Sequence, residues 1–329
     1  MTQPMERRMQ GQFRPTTVTI AVVVPLYNKR PHIADTIDSI LAQSTPPAEI
    51  IVVDDGSTDG SVDIAAQYEM LGVRLIRQTN AGESAARNCG IMSSTSQWIA
   101  FLDADDLWLP NHIEALTQVI HSYPALGLVS TQHEIVQDGV RSRPRSAYPL
   151  GGMYKVDDFY RRFAVGLSLV NSSTACAKRE ALLDIGGFPV DVRIGPDIIT
   201  WIKLFERFGM AHIGIVSAVW QRDAVNRSTS MTSVMPGSLT FLGQTLDLSS
   251  GVSSERRKSV AFLFDRIACV TAAGRKLQGD IPTVRKIRNA CWRYNRVLAW
   301  LAISLLAAVP SPVLRYARHL RQQTKLTIK

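Results

Sequence analysis

The patterned part of the chain begins with VTIAVVV at residues 18–24, apolar or β-branched at every position. A run with no polar alternation predicts a strand covered on both faces, as in a parallel sheet, and Pro25 marks its expected end. Ile33, Ile37, Ile40 and Leu41 then recur at helical spacing. Further strands are expected over residues 50–53, 73–77, 98–102 and 126–131, and helices over 61–70, 83–92 and 110–122. A later strand is expected over 213–219. Such alternation of strand and helix predicts an α/β fold with a mainly parallel sheet flanked by helices. Ligands of such sheets bind beyond the carboxyl ends of the strands.

Polar residues gather at those strand ends. The first strand runs into Pro25-Leu26-Tyr27-Asn28 and the second into Asp54-Asp55-Gly56-Ser57-Thr58-Asp59. The third leads to Asn80-Ala81-Gly82 and the fourth into Asp103-Ala104-Asp105-Asp106. Turn chemistry accounts for any one of these segments. It accounts poorly for so many carboxylates and amides arriving on one edge. Asp103 and Asp105 repel each other unless a cation lies between them. Their hard oxygens suit Mg²⁺ or Mn²⁺, with phosphate completing the shell.

Other chemistries lack their residues. No GxGxxG follows the first strand, and no GxxxxGK[ST], HExxH or GxSxG is present. A nucleotidyltransferase would need a glycine-bearing basic loop after the first strand, where Pro25–Arg30 offers no glycine. The four cysteines form no CxxC pair, and residues 1–16 contain no apolar run. A reduced, cytoplasmic setting without a secretory signal is therefore expected.

Charge changes the picture at one end only. The chain has 37 Lys or Arg against 28 Asp or Glu, yet ten of the cations and none of the acids lie in residues 281–329. The first 280 residues are close to neutral, which argues against a nucleic-acid binder. Within the basic tail lies VLAWLAISLLAAV at residues 297–309. As a helix it spans about 20 Å, short of a bilayer core of about 30 Å. Two readings stay open: an interfacial helix whose basic flanks meet anionic lipid at the inner membrane's cytosolic face, or a helix packed on the body.

Taken in order, VVPLYN (residues 23–28), IVVDDGSTD (51–59), Asn80-Ala81-Gly82 with Ala86-Arg87-Asn88, and FLDADD (101–106) resemble glycosyltransferase family 2. The resemblance covers roughly residues 18–225. It implies a GT-A (Rossmann-like) fold, an inverting transfer, a nucleotide-diphosphate-sugar donor such as a UDP-sugar, and Mn²⁺ or Mg²⁺. By the same resemblance, Pro25 and Tyr27 line the nucleotide pocket and Asp55 accepts from the base. Arg87 approaches the nucleotide or its phosphate. Asp103 faces the ribose and metal, and Asp105 binds the metal. Gly195-Pro196-Asp197 resembles the acceptor segment, with Asp197 as general base, although Pro196 and Ile199 replace acids usual there. Arg222 or Arg227 resembles the basic group of a closing segment. The expected organisation is a flexible terminus (1–16), a catalytic domain (17–230) and a basic helical extension (231–329). The acceptor implied is a saccharide or lipid-linked hydroxyl in surface glycan synthesis. A catalytically weak scaffold is the alternative that the departures near Asp197 raise.

Overall fold

The computed structural model describes residues 18–223, 234–247, 253–310 and 312–314. The first half builds β1 (Ile20–Leu26), α1 (Ile33–Leu41), β2 (Glu49–Asp54), α2 (Ser61–Ala66), β3 (Val73–Arg77), α3 (Glu83–Ser93) and β4 (Trp98–Phe101). Then come β5 (Leu107–Trp108), α4 (His112–Ser122), β6 (Leu128–Gln137), β7 (Val140–Ser142) and β8 (Met153–Lys155). The chain continues through α5 (Phe159–Ala164), β9 (Ala175–Lys178), α6 (Arg179–Asp184), α7 (Pro196–Phe208) and β10 (Met210–Gln221). It closes with α8 (Gly237–Asp247), α9 (Ser254–Leu277), α10 (Ile281–Arg293) and α11 (Val297–Ala308).

One sheet runs through the molecule in the order β3-β2-β1-β4-β9-β6-β10-β5, with β7 added to β6 and β8 to β10. The strands β1, β2, β3, β4, β6 and β10 share one direction, and the short β5, β7, β8 and β9 run against it. β1 explains why its sequence has no polar alternation. Ala21 and Val23 face one core cluster, while Ile20, Val22, Val24 and Leu26 face the other. α1 and α4 cover the second face through Ile33, Ile37, Ile40, Leu116 and Val119. α3 and α5–α9 cover the first, around the packed rings of Phe101, Phe188 and Trp201. That cluster continues without a break into α10 and α11 through Ile287 and Ile303.

Several boundaries differ from the sequence reading. β1 does not stop at Pro25; the parallel ladder carries Pro25 opposite Val53 and Leu26 opposite Asp54. Proline's fixed φ is compatible with extended backbone, so only a donor is lost. The helix expected over 61–70 ends as a helix at Ala66 and tightens into a 3₁₀ turn (Glu69–Leu71) before Gly72, at φ 87°. The antiparallel β9, which the sequence did not announce, separates β4 from β6. Among the described residues, no helix is long and apolar enough to cross a membrane. α11 packs against α9 and α10 through Ala299 and Ile303.

Candidate active site

The loops after β1, β2, β3 and β4 meet along one edge of the sheet. Asn28 bends the chain after β1 with φ at 52°, a left-handed conformation that asparagine tolerates. Its side-chain oxygen accepts from Thr58 N at 2.8 Å, and its own N–H donates to Ser57 Oγ at 3.1 Å. The first two strand-end loops are thereby tied together. Tyr27, just before, stands exposed at the rim, whereas Pro25 is buried in the strand.

Asp55 is buried at the end of β2. Its Oδ1 accepts from Gln78 Nε2 and from Ala81 N, and its Oδ2 accepts from Gly82 N, each at 2.8 Å. A carboxylate has about four lone-pair sites, so roughly one remains for a ligand. Asp55, expected to accept from the base, also anchors the loop that starts α3.

α3 brings Glu83 and Arg87 one turn apart beneath the loop after β4. Arg87 is buried, and its Nη2 donates to Asp103 Oδ1 at 2.7 Å and to Glu83 Oε1. Its guanidinium also lies 5.2 Å from the centre of the Phe188 ring. Asn88 grips the neighbouring Gly187-Phe188 segment: Asn88 Nδ2 donates to Phe188 O, and Phe188 N donates back to Asn88 Oδ1, both at 2.8 Å. Gly187 is required here, because a Cβ would stand 2.4 Å from Asn88 Oδ1 and its φ is 69°.

On the loop after β4, Asp105 Oδ2 accepts from Lys29 Nζ at 2.5 Å. Asp106 turns inward: Ser173 Oγ donates to its Oδ2 at 2.5 Å, and Gln221 N donates to its Oδ1 at 2.9 Å. Ser173 also accepts from Asp103 N at 3.2 Å. Asp106 therefore ties the DADD loop to the end of β10. Arg222 follows directly, its guanidinium 4.5 Å from the Trp220 ring centre. Arg227 lies outside the described residues.

Asp197 joins this group from the first turn of α7. Gly195, at φ 75°, turns the chain, and Pro196 occupies the first helical turn. Burial pushes the Asp197 carboxyl above its ordinary range; Arg87 pulls it back down, and Asp103 adds a smaller push upward. Burial likewise raises Glu83, opposed by Arg87 and aided by Asp103, Asp197 and Asp105. Burial raises Asp106 strongly, with Asp103 and Asp105 adding to it. Arg87 is held charged, above its usual value, by Glu83 and Asp103 against the cost of burial. Five carboxylates thus share one electrostatic neighbourhood with Arg87 and Lys29 as cations.

Among the described residues, no group of three or more His, Cys, Asp or Glu forms a metal cage by itself. Trp201, one turn after Asp197 on α7, is fully buried against Phe101 and Phe188 and belongs to the core. A separate cavity of about 500 Å³ lies further along α7, lined by Ile202, Lys203 and Glu206, and none of the strand-end motifs reaches it. Lys29, Glu83, Asp106 and Ser173 are the site residues that the sequence reading did not assign. The i, i+4 spacing of Glu83 and Arg87 is the sequence signal that could have found one of them.

Residues 21–185 match the model of Glycosyl transferase family 2. The chain is 30% identical over 214 residues to TuaG of Bacillus subtilis (strain 168), named as a teichuronic acid biosynthesis glycosyltransferase, covering 64% of this chain and 81% of that one. It is 43% identical over 103 residues to the uncharacterized glycosyltransferase YibD of Escherichia coli (strain K12), covering 31% of this chain but only 30% of YibD. Among solved structures, S. aureus TarS 1-349 in complex with UDP-GlcNAc superposes with a TM-score of 0.70 at 19% identity, covering 92% of this chain and 88% of that one. The mannosyltransferase PcManGT from Pyrobaculum calidifontis, in complex with GDP-Man and Mn²⁺, superposes at 0.51 with 20% identity, covering 90% and 88%. At these identities the solved structures speak for the GT-A fold.

Proposed function

Because this chain belongs to glycosyltransferase family 2, we propose that it moves a sugar from a nucleotide-diphosphate donor, a UDP-sugar, to a saccharide or lipid-linked hydroxyl with inversion. The product would enter a cell-surface polysaccharide, and the enzyme would work at the cytosolic face of the inner membrane. The name of TuaG and the nucleotide-sugar complexes of TarS and PcManGT support that class of donor and product.

The observation that carries the reading is the surplus of carboxylate over cation at the sheet edge. Asp103 and Asp105 fit a hard divalent cation as part of a shell that diphosphate oxygens would complete. Mn²⁺ or Mg²⁺, when bound, supplies positive charge against the departing diphosphate. Tyr27 and Pro25 flank the nucleotide, and Asp55 offers its remaining acceptor site to the base. Arg87 acts on the donor through Asp103, which it holds in place. Arg222 or Arg227 would meet the diphosphate. Asp197 takes the proton of the acceptor hydroxyl as that oxygen bonds to the anomeric carbon and the bond to the diphosphate breaks. The carboxyl's raised proton affinity suits that role.

Calorimetric titration with UDP, with and without Mn²⁺, followed by a screen of nucleotide sugars for transfer to membrane extracts, tests the proposal. UDP binding should depend on Mn²⁺, and Asp105→Asn should weaken it roughly tenfold or more, the worth of one charge-assisted contact. Metal-independent binding that Asp105→Asn leaves unchanged would remove Asp105 from the donor site. Binding without transfer or donor hydrolysis would instead mark a scaffold.

A further inference from the structure

α11 is attached to the body along one side only. Ala299 and Ile303 are buried beneath it. Lys276 Nζ donates to Ala307 O at 3.0 Å near its end. At its start Arg296 forms a two-pronged pair with Asp265, Nε to Oδ1 at 2.9 Å and Nη2 to Oδ2 at 2.5 Å. The opposite side carries Val297, Leu298, Leu301, Ala302, Leu305 and Ala308, all exposed and all apolar. Leu298 is 80% exposed and Leu305 71%. A surface helix of a water-facing protein normally turns polar residues outward. Here the outward face has none, so it is a contact surface rather than a solvated one.

The adjoining helix says what the contact is. The outward side of α10 presents Arg285, Lys286, Arg293 and Trp292, the last 65% exposed. Trp292 meets Trp300 of α11 with ring centres 5.4 Å apart, at the seam between the cationic and apolar strips. From residue 281 onward the sequence has ten Lys or Arg and no acid. A second copy docked on this face by two-fold symmetry would bring Arg285, Lys286 and Arg293 of the two copies together. A bilayer with anionic headgroups complements both strips at once: acyl chains for the leucines, headgroups for the cations, and the interfacial zone for the tryptophans. The twelve residues of α11 make about 18 Å of helix, too short to cross.

We propose that the outer faces of α10 and α11 form a monotopic docking surface for an anionic lipid bilayer, with α11 lying in the membrane plane. It deepens the membrane-proximal part of the function proposed above, and vesicle binding is measured apart from donor binding and transfer. The experiment is co-sedimentation of the full chain with vesicles of phosphatidylcholine alone and with about one-third phosphatidylglycerol, whose negative surface potential attracts basic segments. The intact protein should pellet with the anionic vesicles, and high salt should release only part of it, since the apolar contact is not screened. The triple variant Leu298→Gln, Leu301→Gln, Leu305→Gln changes only exposed positions, so it should keep its fold and its affinity for UDP. It should lose at least about tenfold in vesicle partitioning, a small part of the transfer free energy of three leucines. Arg285→Glu with Arg293→Glu should weaken binding to anionic vesicles specifically. An intact protein that stays in the supernatant, or a leucine variant that pellets like the parent, overturns the proposal. So does an intact dimer in light scattering that the leucine variant converts to a monomer while vesicle binding stays unchanged.

Discussion

Lys29 and Arg87 neutralise the two carboxylates proposed above for the metal at single points, Lys29 on Asp105 and Arg87 on Asp103. Among the described residues Asp197 has no such ion-pair partner; it feels Arg87 through space and sits at the positive end of the α7 dipole. Both effects favour the carboxylate, while burial favours the acid and prevails. Replacing Asp197 with Asn keeps the size and the first-turn position but removes the basicity. Transfer should fall by roughly 10²–10⁴ while the UDP affinity stays near the parent value. In the parent, turnover should rise as pH passes upward through the raised carboxyl value, because only the deprotonated form can take the acceptor's proton. A pH–rate profile whose acidic limb survives in Asp197→Asn would assign that limb to another group. Asp106 acts differently, as a brace between Ser173 and Gln221, and its inward position made it invisible as anything but the fourth letter of DADD.

At the scale of elements, α3 carries the most consequence for its length. Gly90 lets it approach β1 so closely that a Cβ there would stand 2.4 Å from Val23 Cγ1. Gly90→Ala gains helix propensity but forces α3 away from the sheet, and overpacking of this kind costs about 1–3 kcal/mol. Because Arg87 and Asn88 ride on the same helix, UDP binding should weaken along with the melting temperature. A variant that melts higher and binds UDP unchanged would show that α3 has slack. β1 and β4 were legible because a doubly covered strand must be apolar throughout, which both are. β9 was not: ACAK is short and patternless, and its place between β4 and β6 is decided by partners distant in sequence. The site shows the same division. Carboxylates at strand ends announce themselves, whereas the backbone N–H groups that occupy Asp55 belong to a loop whose path the sequence leaves undetermined.

At the scale of the molecule, the buried His112, His133 and His212 set an acid limit. Burial depresses His112 to about 3 and His133 and His212 to about 4, with Arg222 adding to the shift of His133 and His133 to that of His212. Their unfolded value is about 6.5, so between there and the folded values the unfolded chain binds protons that the native chain refuses. Stability from these groups is full above about pH 6.5 and drains as pH falls toward 4. Raised carboxyls such as Asp106 work in the opposite direction, so the contribution is best isolated by difference. His112 stacks on Trp108 and its Nδ1 lies 2.8 Å from Ser217 Oγ. His112→Asn should be less stable at neutral pH yet lose less on acidification, by about 1.4 kcal/mol per pH unit between 6 and 4. Urea midpoints measured for both proteins across that range check it; parallel slopes would mean that His112 already titrates in the native state.

The position of α11 along the polypeptide has a consequence for synthesis. Every strand of the sheet precedes it, from β1 at residue 20 to β10 at residue 221. Domains fold broadly from the N-terminus as they emerge from the ribosome, and exposed apolar segments are where nascent chains aggregate. This exposed apolar face is therefore translated after the core that supports its inner side. By the time Leu298 and Leu305 leave the exit tunnel, Ala299 and Ile303 already have somewhere to pack. Moving the same helix to the front of the gene would expose its leucines before that support existed and would turn a late-arriving surface into an early trap.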